Sequence, residues 1–221
     1  MIEYIIPSNI DDRILSRAAR MLEDGALIAL PTDTSWSIVC SIKSPAAIKK
    51  LRQLSGERDE RHFTLLCSRI SQFVEFCSLD NTRFSIINRL SPGPYVFILK
   101  TLPGTKKTLE IRRHEVGVRI PDYPVPIHLI KTLGHPLYSI TAKRSMCGGD
   151  WETFNEEEAV TELPPIPEDE LFENGWELED ISGVDLILDG GEERERIFST
   201  ILDMCSDEIR LLRKGAGQWP A

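Results

Sequence analysis

Ala26-Leu-Ile-Ala-Leu30 is five apolar residues in a row, and the run stops abruptly at Pro31-Thr-Asp-Thr34. So short a run with no polar alternation predicts a strand covered on both faces, in a sheet with helices above and below. Similar strands are expected at Trp36–Ile42, Phe63–Cys67, Tyr95–Lys100, Val116–Ile120 and Leu137–Ser139. Segments with helical apolar spacing lie between them. They are Ile14–Leu22 behind the cap Asn9-Ile-Asp-Asp12, Ser44-Pro45 to Leu54, Asn81–Leu90 and Pro126–Leu133. Val184–Gly191, Ser199–Asp203 and Ile209–Arg213 read as three late strands. Elements alternate early and strands cluster late. The expectation is an α/β chain, one domain over residues 1–221, with a twisted mixed parallel/antiparallel sheet flanked by helices.

Charge is unevenly placed. The formal net charge is −9, yet residues 151–180 hold twelve acids and no Lys or Arg. The rest of the chain then carries 23 acids against 26 bases, a mildly basic body suited to phosphate-bearing ligands. The acidic segment, with Trp151, Phe154, Phe172 and Trp176 interspersed, reads as a solvated surface insertion, the alternative being a lid or docking element. The five cysteines are irregularly spaced without a CxxC pair, which points to free thiols in a reducing compartment and against zinc. Apolar runs are too short to span a bilayer, and the start Met1-Ile-Glu-Tyr4 lacks the positive charge of a secretory signal. A cytoplasmic protein without membrane contact is expected.

Several motifs could carry chemistry. Pro31-Thr-Asp-Thr34 follows a buried strand directly, where open α/β sheets place ligands. Thr32, Asp33 and Thr34 either contact a ligand there or satisfy their own backbone in a turn. Lys49, Lys50, Arg52, Arg58 and Arg61 cluster at a helix end and its following loop. They either complement the helix C-terminus or clamp a triphosphate. Arg119 sits inside an apolar strand, so it must either pair with an internal acid or face an anionic ligand, and Pro121 ending the strand favours the ligand. Ser139, Thr141 and Lys143 alternate, which puts two hydroxyls and an ammonium on one face of an extended segment. Ser199 and Arg213 fall at strand ends. No Walker A loop, GxGxxG, HExxH or Ser-His-Asp order is present, which argues against P-loop NTPases, Rossmann dehydrogenases, zincins and serine hydrolases.

In order, Pro31-Thr-Asp-Thr34, Arg52-Gln with Phe63-Thr-Leu-Leu-Cys67, Ser91-Pro-Gly-Pro-Tyr95, Val118-Arg-Ile-Pro121, Pro136-Leu-Tyr-Ser139, Val184–Gly191, Ser199-Thr-Ile-Leu-Asp203 and Leu212-Arg-Lys-Gly215 resemble the YrdC/TsaC family, most closely its YciO branch. The resemblance runs from about residue 6 to 217, interrupted by the acidic insert. It implies a YrdC-like domain that makes threonylcarbamoyl-AMP from ATP, L-threonine and bicarbonate for tRNA modification. It implies that Thr32, Arg119, Ser139 and Ser199 hold threonine. It implies that Arg52, Thr141 and Arg213 contact ATP, with Mg²⁺ as the accompanying ion. The family's second cation after Arg52 is here Leu54, its Ser-x-Asn is Thr141-Ala-Lys143, and a histidine is replaced by Cys67. Lys143 returns the charge that Leu54 removes, which adds it to the ATP-side residues. The alternative is a nucleotide-binding module for tRNA or double-stranded RNA on the same scaffold, without synthase activity.

Overall fold

Helices start where the sequence supplies a cap. The Asp11 carboxylate accepts from Arg13 N at 2.8 Å and opens α1 (Asp12–Glu23), which Gly25 ends at φ 89°. Ser44 Oγ accepts from Ala47 N at 3.3 Å, and Pro45 begins α2 (Pro45–Ser55). Asp80 caps α3 (Asn81–Leu90) through Arg83 N. A short α4 (Thr105–Leu109) follows, and then α5 (Pro124–Leu133), closed by Gly134 at φ 82°. The computed structural model describes residues 1–55, 63–109, 111, 114–148 and 167–219. Arg58, Arg61, Trp151, Phe154 and the acidic stretch through 166 lie outside them.

Ten strands form one sheet: β1 (Ile2–Tyr4), β2 (Ile28–Leu30), β3 (Ser37–Ser41), β4 (Thr64–Leu66), β5 (Tyr95–Lys100), β6 (Glu115–Arg119), β7 (Leu137–Thr141), β8 (Leu186–Asp189), β9 (Thr200–Asp203) and β10 (Arg210–Arg213). Their order is β1-β8-β2-β3-β7-β4-β6-β5-β9-β10. Four neighbouring pairs are parallel and five antiparallel, so the sheet is mixed, as expected. Two elements escaped the sequence reading. β1 has only three residues, and α4 only five.

Side chains alternate between the two faces of each strand, and the faces are covered differently. One face, with Ile38, Leu65, Phe97, Val118, Tyr138 and Leu202, packs against α2 and α3. On the other, Ile28, Leu30, Val39, Leu137, Leu186 and Leu188 meet Leu15 and Leu22 of α1 and Leu129 and Ile130 of α5. Burying each such side chain contributes roughly 1.5–3 kcal/mol. These two helices, which pack on each other, cover only the β8–β2–β3–β7 side of that face. Among the described residues, the same face over β4, β6, β5 and β9 lines a cleft.

The acidic segment needs a correction. In its described part, Leu171, Phe172 and Leu178 are 0%, 1% and 0% exposed, and Phe172 and Leu178 belong to the main core. Two 3₁₀ turns, Glu168–Glu170 and Gly175–Asp180, carry these residues inward. Glu177 bonds to Asn174 N at 3.0 Å and pairs with Arg144. Counting acids over thirty residues hid the apolar residues Leu171 and Phe172, which follow the first turn, and Leu178 within the second.

Candidate functional site

The open half of the sheet face is a cleft of about 830 Å³, its mouth included. Its floor is a row of paired residues. Thr64 faces Ser139 of β7 on one side and Gly117 of β6 on the other, and Gly117 faces Ile98 of β5. Ser139 Oγ donates to Thr64 O at 3.0 Å, which leaves its lone pairs for a ligand. A Cβ on Gly117 would lie 3.2 Å from both Thr64 Oγ1 and Val96 Cγ1, so the glycine keeps the floor low.

Two arginines enter this cleft. Arg119, 5% exposed, donates through Nη2 to Asp33 Oδ1 at 2.6 Å and through Nη1 to Thr34 Oγ1 at 3.0 Å. The sequence reading favoured a ligand for Arg119 over an internal acid. The structure pairs it with Asp33, and Arg119 still lines the cleft. Burial lowers its pKa, an effect partly offset by the Asp33 charge. Three strands separate β2, whose loop carries Asp33, from β6, so a flat sheet would hold them about 19 Å apart. The contact is nevertheless made, so the Pro31–Trp36 loop brings Asp33 and Thr34 to Arg119 across those strands.

Arg213 reaches in from β10. Its Nε donates to Ser199 O and its Nη2 to Ser199 Oγ, both at 3.1 Å, and its guanidinium lies 5.0 Å from the Phe198 ring centroid. Burial and the nearby Arg119 charge push its pKa down to about 10. Among the described residues no carboxylate pairs with it. The following loop is tied back to β9, since Gly215 N donates to Thr200 Oγ1 and that hydroxyl donates to Gly217 O. A Cβ at Gly215 would fall 2.3 Å from Phe198 O, so only glycine fits there.

Of the eight residues expected at the site, Arg119, Ser139, Thr141, Lys143, Ser199 and Arg213 line this one cleft. Thr32 does not. It is fully buried, donates to Ser35 O at 2.8 Å and accepts from Thr34 N at 3.1 Å, the self-satisfied turn foreseen as the alternative. Because its hydroxyl hydrogen goes to Ser35, the 3.1 Å contact with Thr34 must be donated by Thr34. Thr34 then accepts from Arg119, so Thr32 acts on the cleft at one remove. Arg52 sits in the last turn of α2; its neighbour Ser55 lines the cleft and Arg52 does not. Leu54 is 3% exposed in the main core, so α2 sends no second cation into the cleft from there.

Ser37, Ser55, Thr64 and Gly117 also line the cleft and were not singled out from sequence. Thr64 is the one polar residue within Phe63–Cys67, and Gly117 interrupts a β-branched strand. Both were signals of a special position. Among the described residues no three of His, Cys, Asp and Glu are grouped to hold a metal, and no helix is long and apolar enough to cross a membrane. The thiols are not poised to react. Burial pushes Cys40 and Cys77 up to about 12. The cleft therefore offers fixed cations and hydroxyls, an arrangement that positions anions and stabilises developing negative charge.

The profile of the Sua5/YciO/YrdC family, described as "Telomere recombination", matches residues 20–163. The uncharacterized protein YciO of Escherichia coli is 28% identical over 215 residues, covering 97% of this chain and 95% of its own. Its crystal structure superposes with a TM-score of 0.79 at 25% identity, over 100% of this chain and 98% of that one. The threonylcarbamoyl-AMP synthase of Mus musculus is 29% identical over 131 residues, 59% of this chain and 46% of that protein. P. abyssi Sua5, in a crystal structure complexed with L-threonine, shares the fold with a TM-score of 0.77 at 21% identity, over 97% of this chain and 57% of that one. By sequence over well more than half its length, and by fold over all of it, the chain belongs to the Sua5/YciO/YrdC family.

Proposed function

We propose that the cleft binds L-threonine and ATP and works as a threonylcarbamoyl-AMP synthase. The convergence of Arg119 and Arg213 on one hydroxyl-floored cleft, with, among the described residues, a single acid on the first arginine and none on the second, carries this reading. Arg119, Ser139 and Ser199 are the amino-acid side, with Thr32 supporting them through Thr34. Thr141, Lys143 and Arg213 are the phosphate side, with Arg52 at its margin. In this reaction the threonine amine and bicarbonate give a carbamate and water. A carbamate oxygen then attacks the α-phosphorus and pyrophosphate leaves. The protein contributes position and charge: Arg213 and Lys143 stabilise the phosphoryl group, and Arg119 fixes the carboxylate end. Mg²⁺ has no seat of its own among the described residues, so any such ion would arrive on the nucleotide's phosphates, and no step is assigned to it.

The test is pyrophosphate release. Purified protein with ATP, Mg²⁺, L-threonine and bicarbonate is expected to release pyrophosphate only when all are present. ATP binding without threonine-dependent release would defeat the synthase reading. It would leave a nucleotide-binding module, with tRNA or double-stranded RNA as its partner and salt-dependent affinity. Leu54 favours that second reading, because it buries an apolar side chain where the family's synthases carry a cation.

A further inference from the structure

In its described part the acidic segment does not line the cleft, yet residues 170–177 bind three separate pieces of the chain around it. Glu173 holds two of them. Its carbonyl accepts from Trp36 Nε1 at 3.3 Å, at the end of the Pro31–Trp36 loop, and from Arg194 N at 2.8 Å, in the stretch that leads to Ser199. Its carboxylate pairs with Arg196 Nε at 3.2 Å. The third piece is the 3₁₀ turn Arg144–Met146 that follows β7. Glu170 Oε2 accepts from Ser145 N at 3.0 Å, and Glu177 Oε2 pairs with Arg144. The Arg144 guanidinium also lies 4.9 Å from the centroid of the buried Phe172 ring, so the segment grips this arginine by a ring and an acid together. Glu177 divides its two oxygens. Oε1 accepts from Asn174 N at 3.0 Å and from Glu173 N at 3.3 Å, which closes its own turn, and Oε2 serves Arg144. Lys143 and Met146, on either side of Arg144 and Ser145, line the cleft.

We propose that the acidic segment is a clasp on the cleft and that Glu177 is a positioning residue: through Arg144 it fixes the wall made by Lys143 and Met146, and with it the seat of the ligand's phosphates. This rests on the nucleotide reading of the cleft. Glu177 and Arg144 touch no ligand in this account. They set where the backbone of residues 143–146 stands, and so where the Lys143 ammonium can reach. Placement matters here, because a site that works by position and charge loses much of its effect when a group moves by about 1 Å. The same few residues tie down the end of the Pro31–Trp36 loop through Trp36, so the wall is held in register with the rest of the cleft. The competing account gives Glu177 a share in stability and nothing more.

Glu177→Gln separates the two accounts. Its amide oxygen still closes the turn on Asn174 N, but its NH₂ now faces the Arg144 guanidinium, donor against donor, and the clasp opens. Calorimetry with ATP and, separately, with L-threonine reads the cleft, and amide hydrogen exchange reads the turn. In Glu177→Gln the affinity for ATP is expected to fall about fivefold to tenfold, while that for threonine stays within about twofold. The amides of Met146 and Cys147, bonded to Lys143 O and Arg144 O, are expected to exchange about tenfold faster or more, with those of β3 unchanged. Arg144→Lys keeps a cation opposite Glu177 and is expected to hold ATP affinity within about threefold of wild type. Unchanged ATP affinity in Glu177→Gln, or ATP and threonine weakened alike, overturns the inference. Should that variant not fold, Arg144→Ala opens the clasp from its more exposed side and is held to the same outcomes. Wild-type protein that binds no ATP refutes the nucleotide reading instead, and unchanged exchange at Met146 and Cys147 in Glu177→Gln would then overturn the clasp on its own.

Discussion

Arg119 and Arg213 bring the same charge into one cleft but are not interchangeable. Arg119 has Asp33 as counter-ion, and among the described residues Arg213 has only neutral hydrogen-bond partners, the Ser199 hydroxyl and carbonyl. Removing Arg119 leaves a carboxylate buried and unpaired, a change that costs about 3–5 kcal/mol. Removing Arg213 leaves no such orphan. Arg213→Ala is therefore expected to unfold near the wild-type denaturant midpoint yet lose about tenfold or more in ATP affinity, since hydrogen bonds to charged groups contribute roughly 1.5–3 kcal/mol. Arg119→Ala is expected to lower the unfolding midpoint outright. Denaturant titration and calorimetry on the two variants read the contrast. The sequence reading reached Ser139, Thr141 and Lys143 because period-2 alternation is visible in one dimension. It could not rank Thr32, because whether a threonine faces a cleft or its own turn depends on where Ser35 O lies. Nor could it see that Asp33 and Arg119 meet, since that contact joins residues 86 apart in the chain, across three intervening strands.

At the scale of elements, local chemistry was the most legible. The caps at Asp11, Ser44 and Asp80 and the stops at Gly25 and Gly134 bound their helices near the expected residues. α3 and β5 run over the expected residues. β1 was invisible because three residues carry no period, and its order comes from pairing with Ile187, Leu188 and Asp189 far along the chain. The segment at residues 167–180 was misread because its seven acids outnumber its four apolar residues, while three of those four, Leu171, Phe172 and Leu178, pack inward. Gly175 shows how closely: a Cβ there would fall 2.3 Å from Asp189 Oδ2 and 3.0 Å from Trp36, so the turn lies flat on β8. Phe172→Ala is expected to destabilise the fold by about 3–5 kcal/mol, the cost of a large core cavity. A change of the exposed Trp176 to Ala is expected to stay within about 0.5 kcal/mol. Urea unfolding of the two variants distinguishes a core element from a solvated insert.

At the scale of the whole molecule, stability should depend on pH through one buried ring. His135 donates through Nδ1 to Pro136 O at 2.9 Å, so its Nε2 is the acceptor that faces Ser41 Oγ at 3.4 Å. Burial lowers its pKa below the ordinary 6.5. The unfolded chain then binds a proton more readily than the folded one. The contribution of the neutral ring is complete above about pH 6.5 and is lost as pH falls through the depressed folded value. Asp203 and Glu177, also shifted down, act only below the ordinary carboxylate range: burial opposes the shift, and hydrogen bonds to Cys205 N and Arg210, and to Asn174 and Arg144, outweigh it. Wild-type protein is expected to lose denaturant resistance between pH 7 and 5.5, and His135→Gln to lose markedly less over that window. The strand order sets a different limit. β8 stands between β1 and β2 and is parallel to both, yet it is made more than 150 residues after β2. A chain still emerging from the ribosome cannot zip this side of its sheet until Leu186–Asp189 is free of the exit tunnel. Until then β1 and β2 each present an unpaired edge, so protection from self-association must come from outside the chain for nearly the whole of its synthesis.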